Sequence, residues 1–220
     1  MALDTKKLEL YLVTDPDLCA AFGLVETVHA AATGGVSIVQ LRDKHSGTAQ
    51  MIELARALQP VLAPHNIPLI INDDVEAAIA CDADGIHVGQ DDLDVVRVRQ
   101  KVGPDKIVGL SVETGEAALV VEAKIVDYVG ISPIFATKTK VDHKPPLGFG
   151  GLADIVALSP VPSVAIGGLN AGHCKTVFAT GAAGIAVVSA ICGKNDPYQA
   201  TVNMRQQIDL ALKTGVKNDL

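Results

Sequence analysis

The sequence alternates along its whole length between short apolar runs and longer amphipathic stretches. The apolar runs are rich in β-branched residues and stay mostly apolar on both faces, which is typical of parallel strands that are covered on both sides. The stretches between them have a helical period, as in Thr48–Leu62, where four residues form one apolar stripe: Ile52, Ala55, Leu58 and Leu62. The runs predict eight strands, at Leu8–Val13, Val36–Leu41, Ile67–Ile71, Gly85–Val88, Ile107–Leu110, Val126–Gly130, Ser163–Ile166 and Gly184–Val188.

Eight strand–helix units in one chain predict an α/β fold, a closed (βα)8 TIM barrel. An open, doubly wound sheet is the alternative, but closure removes both sheet edges. The aromatic content of 3% agrees with a barrel interior that is filled by Val, Ile and Leu. No linker divides the chain, so we expect residues 1–220 to form a single domain. The longest connector, 132–151, is polar, and its lysines favour a functional lid over a disordered segment.

Composition and charge exclude several classes of protein. The 220 residues are 49% hydrophobic, which excludes a disordered or collagen-like chain. The formal charge of −7 gives no basic field for nucleic acid, and no apolar stretch is long enough to span a membrane. The four cysteines are far apart and form no C-x-x-C pair, which predicts buried free thiols. We therefore expect a soluble, cytoplasmic protein, and the sequence leaves a homo-oligomer open.

Polar residues follow the carboxyl ends of the predicted strands, which form one mouth in a barrel. At the second strand, Gln40 and Arg42 alternate onto the same side and Lys44 follows them. This pattern fits an anion site, and it fits a solvated turn with an ion-paired arginine equally well.

Two further strand ends are acidic. Asn72-Asp73-Asp74 follows the third strand, and Asp91-Asp92 lies just beyond the fourth. In each acidic pair one residue can cap the next helix and the other can bind a metal. Asp73 and Asp92 could then share one Mg²⁺ with phosphate oxygens of a substrate. His87, in the fourth strand, is by itself more often a structural core histidine than a ligand.

Hydroxyl and ammonium groups follow the fifth and sixth strands. Ser111 can donate to a phosphate or cap a helix. In the long connector, Thr137, Thr139 and Lys140 belong to a run of alternating hydroxyl and ammonium groups, which suits a phosphate grip or a solvated loop.

The seventh and eighth strands end in small or polar residues. Gly168 and the Val188-Ser189 step are each expected to lead into a helix N-terminus, where many barrels hold phosphate on backbone N–H groups. A phosphate cradle opposite two acids and several cations predicts an enzyme that brings a phosphorylated acceptor to a Mg²⁺-chelated diphosphate and displaces pyrophosphate. No Ser/His/Asp or Cys/His arrangement competes with this interpretation.

Taken in order, these motifs resemble the thiamine-phosphate synthase family, also called thiamine-phosphate pyrophosphorylase. The resemblance rests on Q-L-R-x-K, I-N-D-D, H-V-G-Q-D-D, T-K-T-K and I-G-G-L, and it runs from Leu10 to Ile191. It implies a transferase of thiamine biosynthesis that couples 4-amino-2-methyl-5-(diphosphooxymethyl)pyrimidine with 4-methyl-5-(2-phosphooxyethyl)thiazole or its carboxylated form. The products would be thiamine monophosphate and pyrophosphate, by a dissociative displacement that depends on Mg²⁺.

The resemblance also implies roles for individual residues. Arg42, Ser111 and Lys140 would be catalytic, and Asp73 and Asp92 would bind Mg²⁺. The pyrimidine diphosphate would be held by Gln40, Arg42, Lys44, Asn72, Ser111 and Lys140. The thiazole phosphate would be held by Thr137, Thr139, Gly168, Val188 and Ser189. Ala136 and Glu113 depart from the Pro and His that the family commonly has at these positions.

Two alternatives belong to other functional classes. A related thiazole tautomerase or regulatory barrel would share the fold, but we would expect its diphosphate cations and metal carboxylates to be eroded. Arg42, Asp73, Asp92 and Lys140 are all present, which disfavours it. A non-catalytic phosphate sensor would bind ligand without consuming diphosphate.

Overall fold

All eight predicted strands are present, and they close into a parallel barrel in the order of the sequence. The computed structural model describes residues 3–90, 94–137 and 145–215. The first strand pairs with both the second and the last: Tyr11 lies opposite Ile38, and Leu10 lies opposite Ile185. The prediction of a TIM barrel is therefore confirmed, and the open sheet is excluded. The strands are β1 Leu10–Val13, β2 Ile38–Leu41, β3 Leu69–Asn72, β4 Gly85–Val88, β5 Ile107–Val112, β6 Tyr128–Ile131, β7 Ser163–Ile166 and β8 Gly184–Val187.

Helices cover the outside of the barrel. Helix α3 has the predicted bounds and buries Ala55, Leu58 and Leu62 together with Met51, whereas Ile52 is only half-buried. The described α-helices are α1 Pro16–Cys19, α2 Leu24–Gly34, α3 Thr48–Leu62, α4 Val75–Ala80, α5 Val95–Val102, α6 Gly115–Leu119, α7 Gly148–Leu158, α8 Cys174–Ala179 and α9 Pro197–Gly215. Short 3-10 helices lie at Thr5–Leu8, Ala63–His65 and Ala171–His173. No described helix has both the length and the apolar character to span a bilayer.

Side-chain caps start the helices that follow the strand ends. Asp15, Asp74, Asp94 and Thr114 each accept a hydrogen bond from a backbone N–H in the first turn of α1, α4, α5 and α6. Such caps satisfy N–H groups that have no partner inside the helix. Some of the polar residues at the strand ends therefore cap helices.

The core has two layers. The larger one lies between the strands and the helices and contains all four cysteines, so the prediction of buried thiols is confirmed. The smaller one fills the barrel interior and includes Ile38, Ile70 and Val164, but also Tyr11 and Tyr128. The expectation of an interior of Val, Ile and Leu was wrong in this respect. Buried tyrosines are tolerated where each hydroxyl finds a partner, and these two hydroxyls lie 2.7 Å apart.

Arg99 joins three segments at the amino-terminal side of β5 and β6. Its guanidinium donates to the Asp127 carboxylate at 2.7 Å and to the backbone carbonyls of Ile125, Gly103 and Lys106 at 3.0, 2.9 and 2.6 Å. The Arg99 side chain is 15% exposed, so these bonds are partly shielded from water. One side chain thereby fixes the end of α5 against the starts of two strands.

We predict that Arg99→Met lowers the free energy of unfolding by about 2 kcal/mol, because four acceptors lose a charged donor while the apolar stem is kept. Urea denaturation measures the change. The control is Arg97→Met, which removes the same charge from an exposed position in the same helix. It should stay within about 0.5 kcal/mol of the parent protein. Equal losses in the two variants would contradict a structural role for Arg99.

Candidate active site

A cavity of about 820 Å³ opens at the carboxyl ends of the strands. The ten predicted site residues that the structure describes all line it: Gln40, Arg42, Lys44, Asn72, Asp73, Ser111, Thr137, Gly168, Val188 and Ser189. They come from six different strand ends, so barrel closure is what brings them together. The other predicted residues, Asp92, Thr139 and Lys140, lie outside the described residues. The assigned roles remain predictions, but the described residues share one site.

The end of β2 is held by Thr14, which is fully buried. Its backbone N–H donates to the Gln40 carbonyl at 2.9 Å, and its hydroxyl accepts from the Arg42 N–H at 2.9 Å. These bonds fix the turn that carries Arg42 and Lys44 to the cavity. Within the described ranges neither cation forms an ion pair, so the geometry favours an anion site over a solvated turn with an ion-paired arginine.

Asp43, between these two cations, is engaged by its own loop. Partial burial raises the pKa of its carboxyl, but hydrogen bonds from the Ser46 side chain and from the backbone of His45 and Ser46 outweigh burial and lower that pKa. The carboxylate accepts from the Ser46 hydroxyl at 2.6 Å and from the His45 N–H at 2.8 Å. Asp43 therefore stabilises the turn after β2.

The two acids after β3 are separated by the backbone. Asp73 is in a left-handed conformation, with φ of 62°, and its N–H donates to the His87 carbonyl at 2.9 Å. Asp73 lines the cavity, whereas Asp74 caps α4 by accepting from the Ala77 N–H at 2.8 Å. The Asn72 amide donates to the Asp73 carboxylate at 2.5 Å and orients it. One acid therefore faces the mouth and the other faces the helix.

Asp73 can supply one of the ligands that Mg²⁺ needs. Mg²⁺ is usually held by one or two carboxylates together with substrate phosphate oxygens and water. Asp73 supplies an exposed carboxylate at the cavity. The described residues contain no cluster of three metal-ligating side chains, so a cation at Asp73 would depend on substrate oxygens.

A hydrogen-bonded chain of five side chains, which we call the polar chain, crosses the barrel interior beneath the mouth. The Gln40 amide nitrogen lies 2.9 Å from the Tyr11 hydroxyl, which lies 2.7 Å from the Tyr128 hydroxyl. The Tyr128 hydroxyl lies 3.0 Å from His87 Nδ1, and His87 Nε2 lies 3.0 Å from the Ser111 hydroxyl. All five side chains line the cavity. Ser111 is therefore tied to the histidine, and the cap of α6 is Thr114 instead.

Tyr11 and Tyr128 line the cavity but were not predicted as site residues. The available signal was period two: Tyr11 stands two residues before Val13 in β1, and Tyr128 stands two before Gly130 in β6, at positions that face inward. Burial raises the pKa of both hydroxyls well above the usual value, so both stay neutral. His87 has the structural contacts expected of a core histidine, and it also borders the cavity.

Gly109 leaves the space that the polar chain occupies. A Cβ atom at this position would lie 2.3 Å from Tyr128 Cζ and 2.4 Å from His87 Nδ1. Those approaches are far shorter than a van der Waals contact, so any side chain here would displace the tyrosine or the imidazole. The absence of a side chain in β5 thus allows β4 and β6 to exchange a hydrogen bond across it.

The glycines after β7 hold the start of the long connector. Gly167 and Gly168 have φ of 107° and 65°, and a Cβ at Gly168 would lie 2.8 Å from Phe135 Cβ. The Phe135 N–H donates to the Gly167 carbonyl at 3.0 Å. This pairing carries Thr137 to the edge of the cavity. Residues 138–144 lie outside the described residues, so the predicted lid remains a prediction.

The chain after β8 differs from the expectation. The Val188 carbonyl accepts from the N–H groups of Ile191 and Cys192 at 3.0 and 2.9 Å, which closes a single turn. The next helix, α9, begins only at Pro197, whose fixed φ suits a first helical position. The expectation that Val188-Ser189 leads directly into a helix N-terminus was therefore wrong. After β7, likewise, the first element is the 3-10 helix, with Asn170 as its cap.

Comparisons with known proteins agree with the resemblance. The sequence profile of the thiamine monophosphate synthase family matches residues 10–191. The thiamine-phosphate synthase of Albidiferax ferrireducens is 46% identical over 202 residues, which is 92% of each chain. That of Xanthobacter autotrophicus is 49% identical over 193 residues, 88% of this chain and 92% of the relative.

Solved structures give the same result. Thiamine phosphate pyrophosphorylase from Pyrococcus furiosus superposes with a TM-score of 0.86 at 35% identity, over 94% of this chain and 98% of that one. A 3-hexulose-6-phosphate synthase, with a TM-score of 0.65 at 19% identity over 91% of this chain and all of the other, shares the fold. The motifs, the barrel and these relatives make the protein an enzyme of the transferase class, and the chain belongs to the thiamine monophosphate synthase family.

Proposed function

We propose that this protein couples 4-amino-2-methyl-5-(diphosphooxymethyl)pyrimidine with 4-methyl-5-(2-phosphooxyethyl)thiazole, or its carboxylated form, and releases thiamine monophosphate and pyrophosphate. The observation that carries the proposal is the cavity itself, where Arg42 and Lys44 have no carboxylate partner among the described residues and the Asp73 carboxylate, oriented by Asn72, lies at the rim. This arrangement suits a diphosphate accompanied by a divalent cation. The names of the relatives supply the substrate class.

The cations act on the leaving group. As the bond between the methylene carbon and the diphosphate oxygen breaks, its electron pair passes to the diphosphate, where negative charge grows. Arg42 and Lys44 would lie at that place before the reaction, because Thr14 holds the turn that carries them, and a charge that is in place beforehand stabilises a developing one. Lys140 and Ser111 are proposed to grip the same diphosphate.

Asp73 would hold Mg²⁺, and Asp92 is proposed as the second carboxylate. The ion would supply further positive charge at the departing oxygens. Asn72 keeps the Asp73 carboxylate oriented through its hydrogen bond.

The barrel interior suits the methylene carbon from which the diphosphate departs. Departure of diphosphate would leave a pyrimidinylmethyl cation, and the lone pair of the thiazole nitrogen would then form the new C–N bond. This sequence of steps needs no general base, but it needs water to be kept away. Tyr11, Tyr128, Val164 and Ile166 provide neutral walls at the inner end of the cavity. The thiazole phosphate is proposed to lie against Thr137, Thr139, Gly168, Val188 and Ser189.

The test is pyrophosphate release by the purified protein with the pyrimidine diphosphate and Mg²⁺, in the presence and absence of the thiazole phosphate. We expect release that depends on the thiazole and yields thiamine monophosphate. Binding of either ligand without release would contradict the proposal and favour a regulatory barrel or a phosphate sensor. Isomerisation of the carboxylated thiazole without coupling would favour a tautomerase.

We predict that Asp73→Asn raises the Mg²⁺ concentration for half-maximal turnover at least about tenfold, because an amide is a poor ligand for this ion. Turnover measured against Mg²⁺ concentration gives the value. The matched control is Asp74→Asn next to it, which should stay within twofold, since asparagine caps a helix as well as aspartate does. An unchanged Mg²⁺ response in Asp73→Asn would remove Asp73 from the metal site.

We predict that Arg42→Met lowers kcat by about 100-fold and changes the KM for the pyrimidine diphosphate much less, because the charge is needed most as the diphosphate departs. Steady-state kinetics separate the two constants. Arg56→Met is the control for net charge, since Arg56 is exposed on α3 and does not line the cavity. A change in KM alone would mean that Arg42 binds substrate and transition state equally.

A further inference from the structure

The polar chain has a direction, because each of its groups can donate only certain protons. Its first member, the Gln40 amide nitrogen, can only donate, so the Tyr11 oxygen accepts from it. The other side-chain partner of the Tyr11 hydroxyl is Tyr128. Tyr11 is buried, so its hydroxyl proton needs an acceptor inside the barrel. The Tyr128 oxygen is that acceptor.

The direction then passes to the histidine. Because the Tyr128 oxygen already accepts from Tyr11, its own proton goes to His87 Nδ1 at 3.0 Å. An imidazole that accepts at Nδ1 and still makes its second bond carries its proton on Nε2. That proton is donated to the Ser111 oxygen, also at 3.0 Å. The imidazole is therefore neutral and in a single tautomer.

The last member of the polar chain faces the cavity as a donor. Since the Ser111 oxygen accepts from His87, the proton of its hydroxyl is left for a ligand in the cavity that Ser111 lines. A reversed chain would leave an oxygen lone pair there instead, which would repel an anionic oxygen. The direction in which Tyr11 and Tyr128 donate thus decides whether Ser111 presents a donor or an acceptor to the cavity.

We infer that Tyr11 and Tyr128 are positioning residues, which fix His87 as the neutral Nε2–H tautomer and so aim the Ser111 proton at an anionic oxygen of the substrate. The inference rests on the proposed function for the identity of that oxygen, which belongs to the diphosphate. The tautomer of His87 itself is independent of the proposed function, because it is a property of the protein without ligand.

Burial supports the same arrangement. Tyr11 and Tyr128 are 2% and 1% exposed, and burial raises the pKa of each hydroxyl, so neither ionises and reverses the direction of donation. Gly109 keeps the path from Tyr128 to His87 open.

The first test is nitrogen NMR of the full chain labelled with ¹⁵N-histidine, without ligand. His87→Gln identifies the His87 signals among the six histidines by their loss. We expect the Nε2–H tautomer in the parent protein and a mixture of tautomers in Tyr128→Phe, which keeps the ring but has no proton to donate. An Nδ1–H tautomer or an imidazolium in the parent protein at neutral pH would overturn the inference, because it requires the reversed chain or a broken one.

The second test is kinetic and separates positioning from packing. We expect Tyr128→Phe to lower kcat about tenfold and to leave the KM for the thiazole phosphate within twofold, because the lost orientation acts on the diphosphate. Tyr198→Phe is the matched control, since this third tyrosine is 45% exposed on α9. An unchanged kcat in Tyr128→Phe would overturn the positioning role.

If Tyr128→Phe does not fold, Tyr11→Phe serves in both tests. It removes the donor that fixes the Tyr128 proton, so a second tautomer and a lower kcat are expected again. A single unchanged tautomer with parental kcat would overturn the inference. Failure of the proposed function is distinguishable, because the parent protein would then release no pyrophosphate while the NMR result still stands.

Discussion

The pairing of β1 with β8 is the constraint on which the rest of this structure depends. Once those backbone groups bond, the parallel strands have no free edge and all of their carboxyl ends face one side. Residues that are more than a hundred positions apart in sequence, such as Arg42 and Ser189, then line the same cavity. Closure therefore creates the site, and the helices outside the barrel stabilise it by covering the apolar outer faces of the strands.

Backbone geometry decides where the described acids after the strand ends point. Asp74 and Asp94 follow strand ends and cap helices, because each has an extended or nearly extended backbone that lets its carboxylate reach the next turn. Asp73 has a left-handed backbone and faces the cavity instead. A chain with a net charge of −7 thus keeps Arg42 and Lys44 at its mouth without a carboxylate partner among the described residues, since Asp43 between them is bonded to its own loop.

The barrel interior combines packing with chemistry. Tyr11 and Tyr128 fill volume that Val and Ile fill elsewhere in the same layer, and their hydroxyls connect Gln40 with His87. Gly109 makes room for this connection. A substitution in this layer is therefore expected to change stability and the presentation of Ser111 together, whereas Arg99 and its carbonyl partners on the opposite side of the barrel affect stability alone.

The sequence by itself determined the class of fold, the eight strands, the bounds of α3 and the family, because local hydrophobic period and short motifs depend on neighbours along the chain. It also named ten of the residues that share the cavity, since the carboxyl ends of parallel strands must meet at one mouth. It could not decide whether Ser111 caps a helix or how the chain continues after Val188. Those outcomes depend on backbone dihedral angles and on contacts between distant strands. The polar chain is the clearest case: Tyr11 and Tyr128 are 117 positions apart, and only closure of the barrel brings their hydroxyls within 2.7 Å.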